Sequence, residues 1–562
     1  MHLLESASRV FSCIPMVHEV TAGIAAEYFN ELSGDSEEKA FALVTAGPGL
    51  TNIITAMSGA YLESRDLLVV GGQVKSSDLR ARGVRQNGIQ EIDGMALTDS
   101  ICVAQLQIKA PIEDEVIVDA VTRGFSARKG PVFIEFCLDA QAANHESDTE
   151  ITLSIANNEK SPELEITSSI RRALMDSERP ALLIGGGVSR MVAKDLEVAL
   201  ASLKIPVMTT WNAADRISSS AASYFGRPNT WGQRYSNLVM QQSDLLIAVG
   251  TRLGLQQTGF NWEQFVPKGR VLQVEIDKHE LDKASPKVDF RVLGDADEFL
   301  KSFVSFLSSQ DQKRWQTWLD YAQEIKASLP LSEVSNVVRP GFTNTYDFYI
   351  ELSKHLMEGD TVVPSSSGSA ETVAMQALLQ PRGTSVVTSK GLASMGYGLG
   401  GSIGAALASR GRVFHIEGDG GFAQNLQDLG TVRQQNLDIK TFIFCNDGYA
   451  SIRATQKNYF QGHYVGCDSK TGLGLPNWSK LFDAFDIPVV NLEPDLPFSE
   501  AVLRSLGNPG PHAYLVRVDP EQTYFPKITS QLSQEGVMVS SPLHRMSPEL
   551  SPESRERLMR HL

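Results

Sequence analysis

Two segments, Val413-Phe414-His415-Ile416-Glu417-Gly418-Asp419-Gly420-Gly421-Phe422 and Lys440-Thr441-Phe442-Ile443-Phe444-Cys445-Asn446-Asp447-Gly448, decide how this chain is read. Each is a short, mostly apolar run that stops at a carboxylate or carboxamide beside glycine. Such runs, bounded by turn residues, predict buried parallel strands, here over 413–417 and 440–445. A carboxylate after one strand and an amide after its neighbour converge at the C-terminal edge of a parallel sheet. Both carry hard oxygens suited to Mg²⁺ or Ca²⁺, and Gly420 and Gly421 let the backbone approach a phosphate. Gly-Asp-Gly and Asn-Asp-Gly are also common turn formers, so either one alone is explained by an ordinary turn. Paired at two strand ends, they favour a metal and diphosphate site. No GxxxxGK[ST] pattern follows a strand, and GxGxxG does not open the first unit, so neither nucleotide-binding signature applies there.

The same alternation of strand-like runs and helical spacing extends outward in both directions. Toward the N-terminus, runs at 41–45, 67–71 and 132–137 adjoin Gly47-Pro48-Gly49, Gly71-Gly72 and Gly130-Pro131. A polar stretch at 143–161 then leads to a helical pattern at 164–175. Further strands are predicted at 181–184, running into Gly185-Gly186-Gly187, and at 205–209, 244–249 and 270–276. Pro340-Gly341 breaks the pattern before a third unit, which holds strands at 361–364 and 514–518 and the glycine-rich 391–404. From Pro520 onward the chain is rich in Ser, Pro and Glu, as expected of a tail that wraps the surface or moves. The expectation is an α/β protein of three domains with parallel sheets flanked by helices: 1–145, 160–325 and 340–525, followed by a tail over 526–562.

Composition narrows the function. With 562 residues, 42% hydrophobic and 21% charged, the chain exceeds one ordinary core. It carries 51 Lys and Arg against 66 Asp and Glu, a net charge of −15, and no basic block, which argues against nucleic acid or an anionic membrane as the principal partner. Five scattered cysteines, with no CxxC pair, speak against a disulfide scaffold or a thiolate zinc site and for a reducing compartment. With neither a signal-peptide pattern nor an apolar run long enough to span a membrane, the sequence reads as cytoplasmic.

On these motifs the chain resembles the thiamine-diphosphate enzymes of the acetolactate synthase and 2-oxo acid decarboxylase superfamily, over nearly its whole length. The resemblance implies the thiamine-diphosphate-enzyme fold, with pyrimidine-binding, central and diphosphate-binding domains in that order. It implies that Asp419, Asn446 and the Gly448 carbonyl bind Mg²⁺, while Gly418, Gly420 and Gly421 approach the diphosphate. His18-Glu19 with Ala22, Ala25, Ala26 and Glu27 looks like the family's His-Glu-x-x-Ala segment. In that family the Glu bonds the aminopyrimidine ring and favours the tautomer that deprotonates the thiazolium, which makes Glu19 the first-choice catalytic residue.

Thr45-Ala46-Gly47-Pro48-Gly49-Leu50-Thr51-Asn52 looks like the family's Ser-Gly-Pro-Gly-Ala-Thr-Asn, a strand, tight turn and helix start that places Gly47 at the cofactor. Gln90-Glu91 resembles a Phe-Gln-Glu segment with Ile89 in place of Phe, and puts Gln90 on the substrate side; an exposed loop amide is the other reading of Gln90. Gly391-Leu392-Ala393-Ser394-Met395-Gly396-Tyr397-Gly398 resembles Gly-Leu-Gly-Thr-Met-Gly-Phe-Gly, whose Met is the wedge beneath the bent cofactor. A lone Met is otherwise a core filler. Ser366, Ser367, Gly368 and Ser369 stand where a second diphosphate loop lies in the family, although their local pattern departs from it.

The activity implied is decarboxylation of a 2-oxo acid, pyruvate by default, with transfer of the two-carbon unit to a carbonyl acceptor. Simple 2-oxo acid decarboxylation and a catalytically silent regulatory or assembly homologue are the alternatives. Asn87-Gly88-Ile89-Gln90-Glu91 stands where many pyruvate decarboxylases carry paired histidines, which shifts the preference toward carboligation. Gly185-Gly186-Gly187, Gly250 and Arg252 lie where relatives often contact FAD, and glycines after strands also serve as plain α/β turns, so flavin stays open. The resemblance further implies a homodimer or tetramer with active sites at subunit interfaces. It also implies a pyrimidine-binding domain without its first strand, since relatives carry that strand ahead of the point matching Met1.

Overall fold

The computed structural model describes residues 2–34, 36, 38–144, 164–365, 368–409, 411–532 and 538–562. Three parallel sheets organise them. The first has strands β1 (Phe41–Val44), β2 (Leu67–Gln73), β3 (Ala104–Ile108) and β4 (Pro131–Cys137) in the order β1-β2-β4-β3. The second has β5 (Pro180–Ile184), β6 (Val207–Thr209), β7 (Leu245–Val249), β8 (Arg270–Glu275) and β9 (Phe290–Leu293), ordered β6-β5-β7-β8-β9. The third has β10 (Thr361–Pro364), β11 (Ser385–Val386), β12 (Val413–Gly418), β13 (Ile439–Cys445), β14 (Val489–Asn491) and β15 (His512–Arg517), ordered β11-β10-β12-β13-β15-β14. Central strands such as β5 and β7 are buried at every residue, because helices cover both faces.

Four of these strands, β3, β9, β11 and β14, lie outside the strands expected from sequence, and all four are sheet edges. β9 (Phe-Arg-Val-Leu) alternates exposed and half-buried residues, and β3 carries two glutamines, so neither shows the continuous apolar run of an interior strand. The helix expected at 164–175 begins later, at Ser168, where the Thr167 hydroxyl accepts the Ile170 N–H and caps it.

The first and third units meet along two helices, α1 (Glu19–Ser33) and α4 (Tyr397–Ala408). α4 follows its cap residue Gly396 and turns Gly400, Gly401 and Gly404 toward α1. A Cβ on Gly404 would lie 2.1 Å from the Ala25 carbonyl oxygen, and one on Gly401 would lie 2.6 Å from the Tyr28 ring. Bare backbone is what lets the helices close to this distance.

Charges fill the same seam. Arg65 pairs with the wholly buried Glu27 at 2.9 Å and donates to the Thr388 carbonyl, and Tyr397 hydrogen-bonds Glu27. Glu31 pairs with Arg190 of the second unit at 2.6 Å, and Arg190 with Asp215 at 2.7 Å. Burial pushes the Glu27 carboxyl up to about 7 against the pull of Arg65. Burial also acts to raise Glu31, but Arg190, Arg65 and Arg216 outweigh it and bring that carboxyl down to about 2.

The C-terminal segment docks on the second unit over its described residues. Leu543, Met546 and Leu558 are buried, and Arg234 donates to the Met546 and Pro548 carbonyls. Burying each leucine stabilises this docking by about 2 kcal/mol. No described helix is long and apolar enough to cross a membrane, and all five cysteines are unpaired.

Candidate active site

Two groups of predicted site residues are assembled, one on the first unit and one on the third. On the first unit, β1 runs through Gly47 into α2 (Pro48–Glu63), which starts on Pro48, a residue whose missing N–H costs a first turn nothing. Gly47 takes φ 64°, and a Cβ there would sit 2.2 Å from the Gln90 carbonyl oxygen. Gly47 and Gln90 are therefore in backbone contact. Gln90 is exposed in a loop that Glu91 organises, whose buried carboxylate accepts the N–H groups of Arg80, Asn87 and Gly88. Glu19 opens α1 half-buried, and Asn52 of α2 donates to its Oε2 at 3.0 Å. Asn52 belongs to the turn segment quoted from the sequence, whose local pattern does not encode its bond to Glu19.

On the third unit, β12 and β13 are paired in parallel with Gly418 opposite Phe444, so Asp419 and Asn446 emerge side by side at the sheet's C-terminal edge. Asp419 is buried and accepts four backbone N–H groups: Gly420 at 2.8 Å, Gly448 at 3.1 Å, Asn446 at 3.1 Å and Asp447 at 3.0 Å. Burial pushes its carboxyl up to about 6 even against these four donors.

The Asn446 carboxamide points at the Gly448 carbonyl, 2.9 Å away, and at Asp419 Oδ1, 3.0 Å away. With nitrogen inward it donates to both; with oxygen inward, three oxygens face one another, as around a hard cation. One carboxylate, one amide and one carbonyl thus fit Mg²⁺. Among the described residues no cluster of three or more His, Cys, Asp or Glu side chains could hold a metal. Arg453 braces this loop by donating to the carbonyls of Asn446 and Asp447.

Gly420 packs so closely that a Cβ would meet the Tyr449 ring at 2.7 Å, whereas at Gly418 a Cβ would have no neighbour within 4 Å; Gly421 is buried in the one-turn helix Asp419–Phe422. Ser366 and Ser367 lie outside the described residues. Gly368, with φ 61°, opens helix α3 (Gly368–Ala377) beside Ser451 and Tyr524, and Ser369 is buried next to the Tyr524 phenol. Met395 is 37% exposed, too open for a core filler, and its sulfur accepts from Gln424 at 3.6 Å.

Asn425 ties the start of α1 to the turn that follows Met395. It accepts from Thr21 of α1 at 3.2 Å and donates to the Gly396 carbonyl at 3.1 Å, so the start of α1 sits against the segment that follows Asp419 in its own chain. In the second unit, a Cβ on Gly185 would fall 2.1 Å from the Gly250 carbonyl and one on Gly187 would fall 2.9 Å from the Gly250 Cα, so loop packing requires glycine at both positions.

Three family descriptions match the chain in order. "Thiamine pyrophosphate enzyme, N-terminal TPP binding domain" covers residues 1–97, "central domain" covers 167–303 and "C-terminal TPP binding domain" covers 366–516. Acetolactate synthase isozyme 1 large subunit of Escherichia coli (strain K12) is 27% identical over 519 residues, 91% of this chain and 88% of the relative. Acetolactate synthase large subunit of Parasynechococcus marenigrum (strain WH8102) is 28% identical over 560 residues, 98% and 87% of the two chains. Probable acetolactate synthase large subunit of Methanocaldococcus jannaschii is 28% identical over 524 residues, 90% and 85%.

Proposed function

The chain belongs to the thiamine pyrophosphate enzymes, and on that premise we propose that it decarboxylates a 2-oxo acid, pyruvate in the first place, and transfers the two-carbon unit to a carbonyl acceptor. The observation that carries this is the convergence of Asp419, Asn446 and the Gly448 carbonyl at the edge of the third sheet. When bound, thiamine diphosphate would supply an acidic thiazolium carbon that, once deprotonated, is a nucleophile toward a 2-oxo acid, and a ring that serves as electron sink for decarboxylation.

Asp419, Asn446 and the Gly448 carbonyl would hold Mg²⁺. Gly418, Gly420, Gly421, Gly368 and Ser369 would face the diphosphate, and Gly47 and Met395 would flank the rings. Glu19 would hold a proton against a nitrogen of the aminopyrimidine. Asn52, bonded to one oxygen of Glu19, fixes the carboxylate's direction and leaves its other oxygen for the ring. One carboxylate in a short hydrogen bond can move that proton without any protein base touching the substrate.

Gln90, exposed beside Gly47, would meet the substrate in this reading. Transfer is preferred over simple decarboxylation because the named relatives are acetolactate synthases and because 87–91 offers amides where a decarboxylase would offer paired histidines. FAD is left out of this proposal, since close packing already requires Gly185 and Gly187 and no other observation points to a flavin. A homodimer or tetramer belongs to the reading, and the mass of the cofactor-loaded protein in solution tests it; a fully active monomer refutes it.

The experiment that tests the chemistry is CO₂ release from pyruvate with thiamine diphosphate and Mg²⁺, beside a Glu19→Gln control. Release that collapses in the control supports the proposal. Release that persists undiminished removes Glu19 from it.

A further inference from the structure

Directly beneath the turn that carries Met395 lie two ionisable side chains with no part in the chemistry above. β12 presents His415 and Glu417 two residues apart, hence on one face of the sheet, and both are wholly buried. His415 Nε2 lies 3.1 Å from Glu417 Oε2, and Glu417 Oε1 accepts the Gly396 N–H at 3.1 Å. His415 Nδ1 has no hydrogen-bond partner among the described residues, so a proton there would be buried unsatisfied while a bare Nε2 faced a carboxylate. The ring therefore carries its proton on Nε2 and donates it to Glu417.

The contact with the turn is tight. A Cβ on Gly398 would fall 2.4 Å from His415 Nε2 and 2.7 Å from Glu417 Oε2, so the backbone of 396–398 rests on the pair. Gly396 itself has φ 78°, in the left-handed region. Its N–H is held by Glu417 from below, and its carbonyl by Asn425, which in turn holds Thr21 of α1. A residue fixed at both its N–H and its C=O fixes the direction of the side chain that precedes it, which is Met395.

We propose that His415 and Glu417 are positioning residues: His415 orients Glu417, and Glu417 sets the Met395–Gly396 peptide so that the Met395 side chain is presented to the rings of bound thiamine diphosphate. This rests on the placing of Met395 at the cofactor under the proposed function. A buried carboxylate suits the task because its two oxygens accept in two directions at once. A carboxamide has one accepting oxygen, and its NH₂ must face either the His415 proton or the Gly396 N–H.

The test uses full-length protein carrying Glu417→Gln, and His415→Gln, which keeps a donor toward Glu417. In Glu417→Gln, amide hydrogen exchange over 395–398 rises about tenfold, one hydrogen bond's worth, and thiamine diphosphate in saturating Mg²⁺ binds about tenfold more weakly. His415→Gln stays within a few-fold of wild type in both measurements. In a Met395→Ala background, Glu417→Gln has no further effect on cofactor affinity, an outcome that a merely structural role does not produce. Unchanged exchange at 395–398, or equal losses of affinity in both backgrounds, overturns the assignment while leaving the proposed function standing. A wild-type protein that binds no thiamine diphosphate overturns the proposed function, and this assignment with it.

Discussion

Replacing Asp419 by Asn separates the two tasks assigned to its carboxylate. The substitution keeps the side chain's shape but turns one oxygen into an NH₂. Each Asp419 oxygen accepts two backbone N–H groups, Gly420 and Gly448 on Oδ1, Asn446 and Asp447 on Oδ2. Whichever way the amide turns, two donors lose their acceptor. At about 1.5 kcal/mol for each bond to a charged acceptor, the turns after β12 and β13 together lose about 3 kcal/mol of local stability. Amide exchange at the orphaned positions then quickens about 150-fold, from the same 1.36 kcal/mol per decade that governs any equilibrium. The same change removes the only full negative charge among the three oxygens assigned to Mg²⁺. Calorimetric titration of thiamine diphosphate in the presence of Mg²⁺ shows affinity reduced about 100-fold or more in the variant. Wild-type cofactor affinity in Asp419→Asn refutes the metal assignment, and unchanged exchange at 446–448 refutes the hydrogen-bond reasoning.

Glu19→Gln lowers turnover about 100-fold or more while Mg²⁺-dependent cofactor binding changes little, measured by steady-state CO₂ release and titration on one preparation. Gly404→Ala places a Cβ 2.1 Å from the Ala25 carbonyl, a backbone atom that cannot swing aside, and destabilises the α1–α4 seam by about 1–3 kcal/mol in denaturant titration. Glu27, raised to about 7 from 4.5, favours the folded state most below its unfolded pKa, and that contribution is lost as pH rises through about 7. Its neighbours are Arg65, Tyr397 and Glu63, and Glu27→Gln, which still accepts from Tyr397, removes about 3 kcal/mol of the fall in stability between pH 4.5 and 7; parallel profiles for wild type and variant refute this.

What the sequence showed, and what it hid, follows from locality. Interior strands such as β7 and β13 announce themselves because both faces are covered and every residue must be apolar or satisfied. β9 and β14, covered on fewer sides, carry no such constraint and were missed. The ends of β12 and β13 were legible because a carboxylate and an amide each stand one step past an apolar run.

Three features were hidden. The Thr21–Asn425 bond spans 404 residues of chain, and no local pattern encodes it. The Asn52–Glu19 bond joins two helix starts that only the folded sheet brings together. His415 and Glu417 did leave a trace, since they are the two polar residues in an otherwise apolar strand and fall on one face. Only the structure shows the Gly396 N–H that explains them.

The central claim is two-carbon transfer on bound thiamine diphosphate. It is tested most directly by identifying, by NMR, the products formed from ¹³C-labelled pyruvate by protein loaded with thiamine diphosphate and Mg²⁺. The predicted result is labelled CO₂ together with a labelled acetolactate, or a crossed ligation product when a second carbonyl compound is supplied. Acetaldehyde as the sole organic product with every acceptor, or unconsumed pyruvate in protein shown to hold the cofactor, contradicts it.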